Sequence, residues 1–396
     1  MGENGQTDPE PLRRSGLVRS SMRIGIDCRA LQNFSRYLGI GTYSANLTRA
    51  LAQANGHHQM IPFGFSPRRS RLKRIDPSLP YPIDRQGFFI TGRRSLLRQL
   101  KAHRVDLCHL LEFTPPFAAA DRTVATVYDL IPLIFPKVYL PWRRVRSGWN
   151  LRSYYRFLKR VQQIVAISEH TRMDLIQILG IPKERITVIY PGLSPVFRPL
   201  EDDQKISGVL ARYDIQHPYV LYVGSCDWRK NITGLLSAFS QFRRHGFEDF
   251  QLVLVGKDAP LKQGQLHLQA SVLGLSESLR LTGFVSEEEL VALYNAATLL
   301  VYPSFYEGFG FPPLEAMACG TPVVTSANSS LKEVADGCAL LVNPHRDEEL
   351  VEGMCRLAED QGLRETLIRR GLARARQFTW DRAAGETLSL YERLGK

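Results

Sequence analysis

Residues 297–326 read ATLLVYPSFYEGFGFPPLEAMACGTPVVTS. The run Leu299-Leu300-Val301-Tyr302 is apolar without alternation, the pattern of a strand covered on both faces. A glycine-punctuated loop follows from Pro303. Pro312 and Pro313 then suit the first turn of a short helix, which Gly320 and Pro322 close, and residues 322–325 make a second strand. Glu307 falls on the loop and Glu315 in the first turn of the helix. Gly308 and Gly310 leave backbone N–H groups open beside a helix N-terminus, where an anion or polar sugar hydroxyls are well received. A single glutamate here reads as surface decoration. Two of them framing Gly-Phe-Gly-Phe-Pro-Pro at the C-terminal end of a strand argue for a site.

The same alternation extends in both directions. Strand-like runs occupy residues 23–28, 60–65, 105–110, 123–128, 164–167 and 186–189, then 219–223, 251–255, 279–281, 299–302, 323–325 and 339–342. Helical patterns lie between them, such as 41–52, 169–179, 231–243, 287–296 and 346–358. Alternating β and α predicts parallel sheets with helices on both faces. Twelve strands exceed one such sheet, and 396 residues exceed one core, so two doubly wound α/β domains are expected. Pro191-Gly192-Leu193-Ser194-Pro195, with Pro199 beyond, is the linker signal. The boundaries that follow are 1–21 for a polar, disordered extension, 22–190, a linker over 191–200, 201–378, and a closing helix over 379–396.

Composition is that of an ordinary globular protein, 44% hydrophobic and 23% charged. No apolar run is long enough to span a bilayer, and no apolar signal core opens the chain. The six cysteines are scattered without a C-x-x-C, which suits reduced thiols in a cytoplasm rather than disulfides or a zinc site. The net charge of +12 is unevenly shared: residues 1–200 carry +18 and the remainder −6. A basic half beside an acidic half points to a polyanionic surface. With no nucleic-acid-binding motif, anionic lipid is the expected surface.

Four further stretches carry chemistry. Gly39-Ile40-Gly41 sits at a strand-to-helix turn, where glycines let a ligand approach the backbone; a plain turn explains the pair equally well. Tyr128 and Asp129, in TVYDLIP, fall where side chains reach a cleft beyond the strand ends, although Asp129 also suits a cap on the next turn. Ser168 is a natural N-cap for the helix after it. Arg229 and Lys230, in GSCDWRKN, precede a helix N-terminus that disfavours cations, so their placement suggests a bound anion such as a diphosphate.

Taken together these residues resemble the retaining GT-B glycosyltransferases of glycosyltransferase family 4, which include bacterial mannosyltransferases and the glycogen and sucrose synthases. The resemblance covers nearly all of residues 22–396. Glu307 and Glu315 match the family's Glu-x7-Glu motif. It implies a GT-B fold of two Rossmann-like domains facing across a cleft, the first on the acceptor side and the second binding the nucleotide sugar, with the closing helix packed back on the first. It implies that Glu307 contacts the donor sugar and Glu315 the ribose, while Lys230 and Arg229 neutralise the diphosphate. Backbone around Gly308, Phe309 and Gly310 holds sugar and phosphate, Gly39 and Gly41 approach the diphosphate from the other domain, Asp129 and Tyr128 reach the donor, and the base lies near Val285. No metal and no cofactor are implied; the nucleotide sugar is a co-substrate. Two positions depart from the family pattern: Tyr128 stands where relatives often have His, and Ser225 where many have Arg. The first removes imidazole proton transfer at that position.

The expected activity is retaining, metal-independent transfer of a sugar, with GDP-mannose the favoured donor because Asp-Leu-Ile-Pro and Trp-Arg-Lys-Asn are closest to the mannosyltransferase branch. The acceptor is a saccharide, free or lipid-linked. The alternatives are a nucleotide-sugar 2-epimerase of the same fold and a non-catalytic nucleotide- or glycan-binding module. Residues 138–163 interleave Trp142, Arg143, Arg144, Arg146, Trp149, Arg152, Tyr154, Tyr155, Arg156, Lys159 and Arg160, and SPRRSRLKR at 66–74 adds charge. This suits a helix lying on an anionic membrane at its cytoplasmic face, or equally a helix with its aromatics packed on the sheet and its arginines solvated.

Overall fold

The computed structural model describes residues 21–32, 39–54, 57–65, 87–112, 122–139, 145–256 and 260–395, without the side chains of 145–151 and 260–262. The run 66–74, Trp142, Arg143, Arg144 and nearly all of the expected N-terminal extension lie outside these residues.

Among the described residues, thirteen strands form two sheets. The first has seven strands: β1 (Arg23–Asp27), β2 (Gln59–Phe65), β3 (Phe88–Ile90), β4 (Leu107–Leu110), β5 (Thr123–Val127), β6 (Gln163–Ala166) and β7 (Ile186–Val188), in the order β3-β2-β1-β4-β5-β6-β7. The second has six: β8 (Tyr219–Val223), β9 (Gln251–Val255), β10 (Leu279–Gly283), β11 (Leu299–Tyr302), β12 (Val323–Ser326) and β13 (Leu340–Val342), in the order β10-β9-β8-β11-β12-β13. Every pairing is parallel. The strand absent from the sequence reading is β3, an edge strand of three residues, too short to show a period. Central strands such as β11 and β12 are buried along their whole length, which is why they read as unbroken apolar runs.

One apolar cluster fills the second domain and continues through the helix Trp380–Gly395 onto Ile24, Ile26 and the helix Gly39–Ala54 of the first; a second cluster covers the other face of the first sheet. The chain crosses between the domains twice. Leu193 N–H donates to the Phe378 carbonyl at 2.9 Å, tying one crossing to the other. The last helix is fastened to the first domain by Tyr391, whose hydroxyl lies 2.6 Å from His109 Nδ1, while Thr126 Oγ1 holds Nε2 at 2.8 Å. All six cysteines are free.

Candidate active site

In each sheet the strand order reverses once, between β1 and β4 and between β8 and β11. Loops leaving those strands diverge and leave a crevice beyond the strand ends. The loops after β8 and β11 are those that carry the residues of interest. After β8 the chain makes a tight turn, Trp228–Lys230, capped by Asp227, whose carboxylate accepts the Arg229 N–H at 3.1 Å. Asn231 then takes a left-handed conformation (φ 54°) and anchors to the Pro344 carbonyl at 2.7 Å before the helix Ile232–Arg244 begins. The loop after β11 is stitched to this turn by Phe305 N–H, which donates to the Arg229 carbonyl at 2.7 Å.

Glu307 is the centre of the resulting cluster. Its Oε1 accepts from Lys230 Nζ at 2.5 Å, Ser304 Oγ at 2.7 Å and the Tyr302 hydroxyl at 3.0 Å, and its Oε2 from Arg229 Nη1 at 2.6 Å. Lys230 Nζ is also bonded to the Tyr302 hydroxyl and stands 4.9 Å from that ring's centroid. Lys230 is only 8% exposed and Arg229 is half-buried, so neither is a solvated surface cation. Burial alone would push Glu307 upward, but Lys230 and Arg229 beside it hold its carboxyl down at about 2. It is therefore an ionised acceptor, unable to donate a proton near neutrality.

The first domain meets this loop by backbone. A Cβ on Gly308 would stand 2.1 Å from the Tyr128 carbonyl oxygen, so only glycine permits the approach. The Thr171 hydroxyl lies 3.3 Å from that same carbonyl and 3.4 Å from the Gly308 carbonyl. Tyr128 contributes no free hydroxyl here: it donates to the Leu111 carbonyl at 2.8 Å, with its ring edge-on to Tyr43. Asp129 Oδ1 accepts the Ile131 N–H at 3.0 Å and so caps the next turn, the second of its two sequence readings. Burial raises the Asp129 carboxyl, with Arg229 acting against it.

Gly310, at φ +99°, precedes the helix Phe311–Ala318, with the two prolines in its first turn. Glu315 is the fifth residue of that helix and lies in the second turn, not the first, because the helix begins at Phe311. Its Oε2 accepts from the Tyr294 hydroxyl at 2.8 Å, and burial lifts it to about 7, opposed by that hydrogen bond and aided by Glu287. Phe309 is buried against Tyr190, Phe311 and Phe378, so what it offers the crevice is backbone. Val285 is likewise buried, whereas its neighbour Phe284 is 72% exposed. Gly39 and Gly41 both fall inside the helix Gly39–Ala54, in its first turn. Gly41 lines a cavity of about 1050 Å³ between the domains, with Arg49, Arg198, Glu287 and Arg376. Among the described residues no group of three or more His, Cys, Asp or Glu is placed to hold a metal ion.

Residues 37–196 match the family described as Glycosyltransferase Family 4, and residues 212–374 match Glycosyl transferases group 1. The chain is a family 4 glycosyltransferase. It is 29% identical over 372 residues to the O-antigen chain mannosyltransferase B of Escherichia coli, covering 90% of this chain and 96% of that one. It is 30% identical over 423 residues to the serotype-specific mannosyltransferase WbdA of Escherichia coli, covering 94% of this chain but 48% of that longer protein. Among solved structures, a sucrose-phosphate synthase from Thermosynechococcus elongatus superposes with a TM-score of 0.72 at 22% identity, over 94% of this chain and 99% of that one. The two facing sheets are the GT-B fold.

Several residues that shape the glycosyltransferase's site carry no motif. Tyr302 reads only as a buried strand residue; its hydroxyl, which a buried tyrosine must satisfy, was the available signal. Ser304 holds Glu307, while Ser329 Oγ accepts the Glu307 N–H at 3.1 Å. The Ser330 hydroxyl is 2.9 Å from both the Glu307 and Phe309 carbonyls. Tyr294 reaches Glu315 from the helix Glu287–Ala296. Ser304 and Tyr302 are near Glu307 in sequence, whereas Ser329, Ser330 and Tyr294 lie more than twenty residues from their partners and meet them only through the fold.

Proposed function

We propose that this glycosyltransferase moves mannose from GDP-mannose to a saccharide acceptor, free or lipid-linked, with retention at the anomeric carbon and without a metal. The observation that carries the reading is Glu307, held ionised between Arg229 and Lys230 at the switch point of the second sheet. In this reading the donor diphosphate lies against the two cations and the helix N-termini beginning at Ile232 and Phe311, and Glu307 accepts hydrogen bonds from donor-sugar hydroxyls. The bond from the anomeric carbon to the phosphate oxygen breaks while the acceptor oxygen bonds the same face. The acceptor's proton passes to the departing phosphate oxygen. Charge growing on that phosphate is met by Arg229 and Lys230, already in place, which is the largest kind of catalytic contribution a site supplies. Glu315, on the same helix, holds the ribose, and the loop at Val285 with exposed Phe284 receives the base.

The mannosyltransferase names of the two Escherichia coli relatives support the donor sugar. An epimerase would use its carboxylates as acid and base, and a Glu307 poised at about 2 is unsuited to that. We further propose that the basic first domain rests on an anionic membrane surface. Arg152, Arg156, Lys159 and Arg160 are exposed, which supports the charge part of the idea; Tyr154 and Tyr155 are buried in the core and are not available to lipid.

Thermal-shift measurements with GDP-mannose, UDP-glucose, UDP-N-acetylglucosamine and ADP-glucose test the donor, followed by NMR of the product's anomeric configuration. GDP-mannose should stabilise the protein most, and turnover should release GDP. An epimer formed without nucleotide release, or no response to any nucleotide sugar, overturns the reading.

A further inference from the structure

The short helix Ser329–Ala335 belongs to the second domain and serves both. At its start, Ser329 and Ser330 grip the backbone of Glu307 and Phe309. One turn later Glu333 crosses to the first domain. Its Oε1 accepts the backbone N–H of Glu169 and its Oε2 that of His170, both at 2.9 Å. These are the first two N–H groups of the helix Glu169–Leu179, and the third, Thr171, is taken at 3.0 Å by the helix's own cap Ser168. The local carboxylate, Glu169, is turned instead to Arg172 at 2.7 Å. Tyr190, at the end of the first domain, is near enough that the Glu333 charge adds to burial in raising its phenol. From the same helical turn the Thr171 hydroxyl reaches the Tyr128 and Gly308 carbonyls. The contacts therefore close a circuit: site loop, helix Ser329–Ala335, Glu333, helix Glu169–Leu179, Thr171, and site loop again.

A helix end must satisfy its orphan N–H groups, and a carboxylate there is favoured by the helix dipole as well. Were the domains to part, water would replace Glu333. The contact thus stabilises only the closed arrangement, and it does so through the element that holds the Glu307 loop. We propose that Glu333 is a positioning residue that couples closure of the two domains to the geometry of the loop carrying Glu307. The meaning of that loop rests on the function proposed above; the coupling itself does not.

Hydrogen exchange on the full-length, ligand-free protein tests this with Glu333→Ala and Glu333→Gln. In Glu333→Ala, peptides covering residues 168–172 and 305–310 should both exchange about tenfold faster, the loss expected when an N-cap is removed. β11 and β12 should keep their protection. Glu333→Gln should be intermediate, because one carbonyl oxygen still accepts while the amide nitrogen does not. In parallel, kcat for GDP release from GDP-mannose should fall with little change in the Kd for GDP. Faster exchange confined to 168–172 makes Glu333 a cap and nothing more, and overturns the proposal, as does unchanged exchange in both segments. Should Glu333→Ala fail to fold, Glu333→Gln is read alone, with the same two segments deciding. If no donor turns over, the assigned reaction fails while the exchange data still decide the coupling.

Discussion

Glu307 stays ionised because two cations outweigh its burial, and removing it would leave Arg229 and Lys230 side by side in a buried pocket. Glu307→Gln should therefore abolish transfer and also destabilise the second domain by about 3–5 kcal/mol, the usual cost of stranding a buried charge. A thermal melt followed by circular dichroism, with an unchanged midpoint, would refute that. The folded-state value, depressed from 4.5 to about 2, means this contribution is present above the unfolded value and is lost as pH falls toward 2. Glu315 has the opposite sign. Burial raises it from 4.5 to about 7, so the folded protein binds the extra proton, and its contribution to stability declines as pH rises through that window. If Glu315 accepts from ribose hydroxyls, the ionised form is the better acceptor. Affinity for a nucleotide sugar, whose diphosphate charge is constant, should then rise from about pH 6 to about pH 8. Glu315→Gln should flatten the profile; a profile that keeps its slope in the variant rules out Glu315 as the titrating group.

At the scale of elements, the loop between β11 and the helix Phe311–Ala318 is set by contacts on both sides. Ser304, Ser329 and Ser330 hold it from its own domain, and the Tyr128 carbonyl limits it from the other. Gly308→Ala puts a methyl group 2.1 Å from that carbonyl oxygen, a backbone atom that cannot swing aside. The domains must then stand apart at this point by an ångström or more, and a misplacement of that size costs on the order of a hundredfold in rate. We expect kcat to fall by about that factor while nucleotide binding to the second domain persists. Small-angle scattering should report a larger radius of gyration in the ligand-free variant; wild-type turnover would show that the contact is not made in the working enzyme. The loop's existence, its glycines and the prolines of the next helix were legible in the sequence because turn and cap chemistry is local. The position of Glu315 in the second turn was not, because two prolines suit several starting points for one short helix.

For the whole molecule, the uneven charge is the broadest feature. Reversing Arg152, Arg156, Lys159 and Arg160 to glutamate should weaken binding to anionic vesicles at low salt by well over about tenfold, because each basic residue near such a surface contributes measurably. Vesicle sedimentation reads this, and a wild-type protein that ignores anionic vesicles ends the membrane proposal. The aromatic half of that segment was ambiguous in sequence, and packing resolved it for Tyr154 and Tyr155, which face the sheet. The sequence by itself determined two doubly wound sheets, the Glu307 loop and its family resemblance, because buried parallel strands must be apolar runs and motif spacing is local. Only the tertiary structure decided which charges meet. Glu307 lies 77 residues from Lys230 and 78 from Arg229, and Glu333 lies 164 from Glu169. Those pairings exist because β8 and β11 are neighbours in a sheet whose order is not the order of the chain, and because the two sheets face each other.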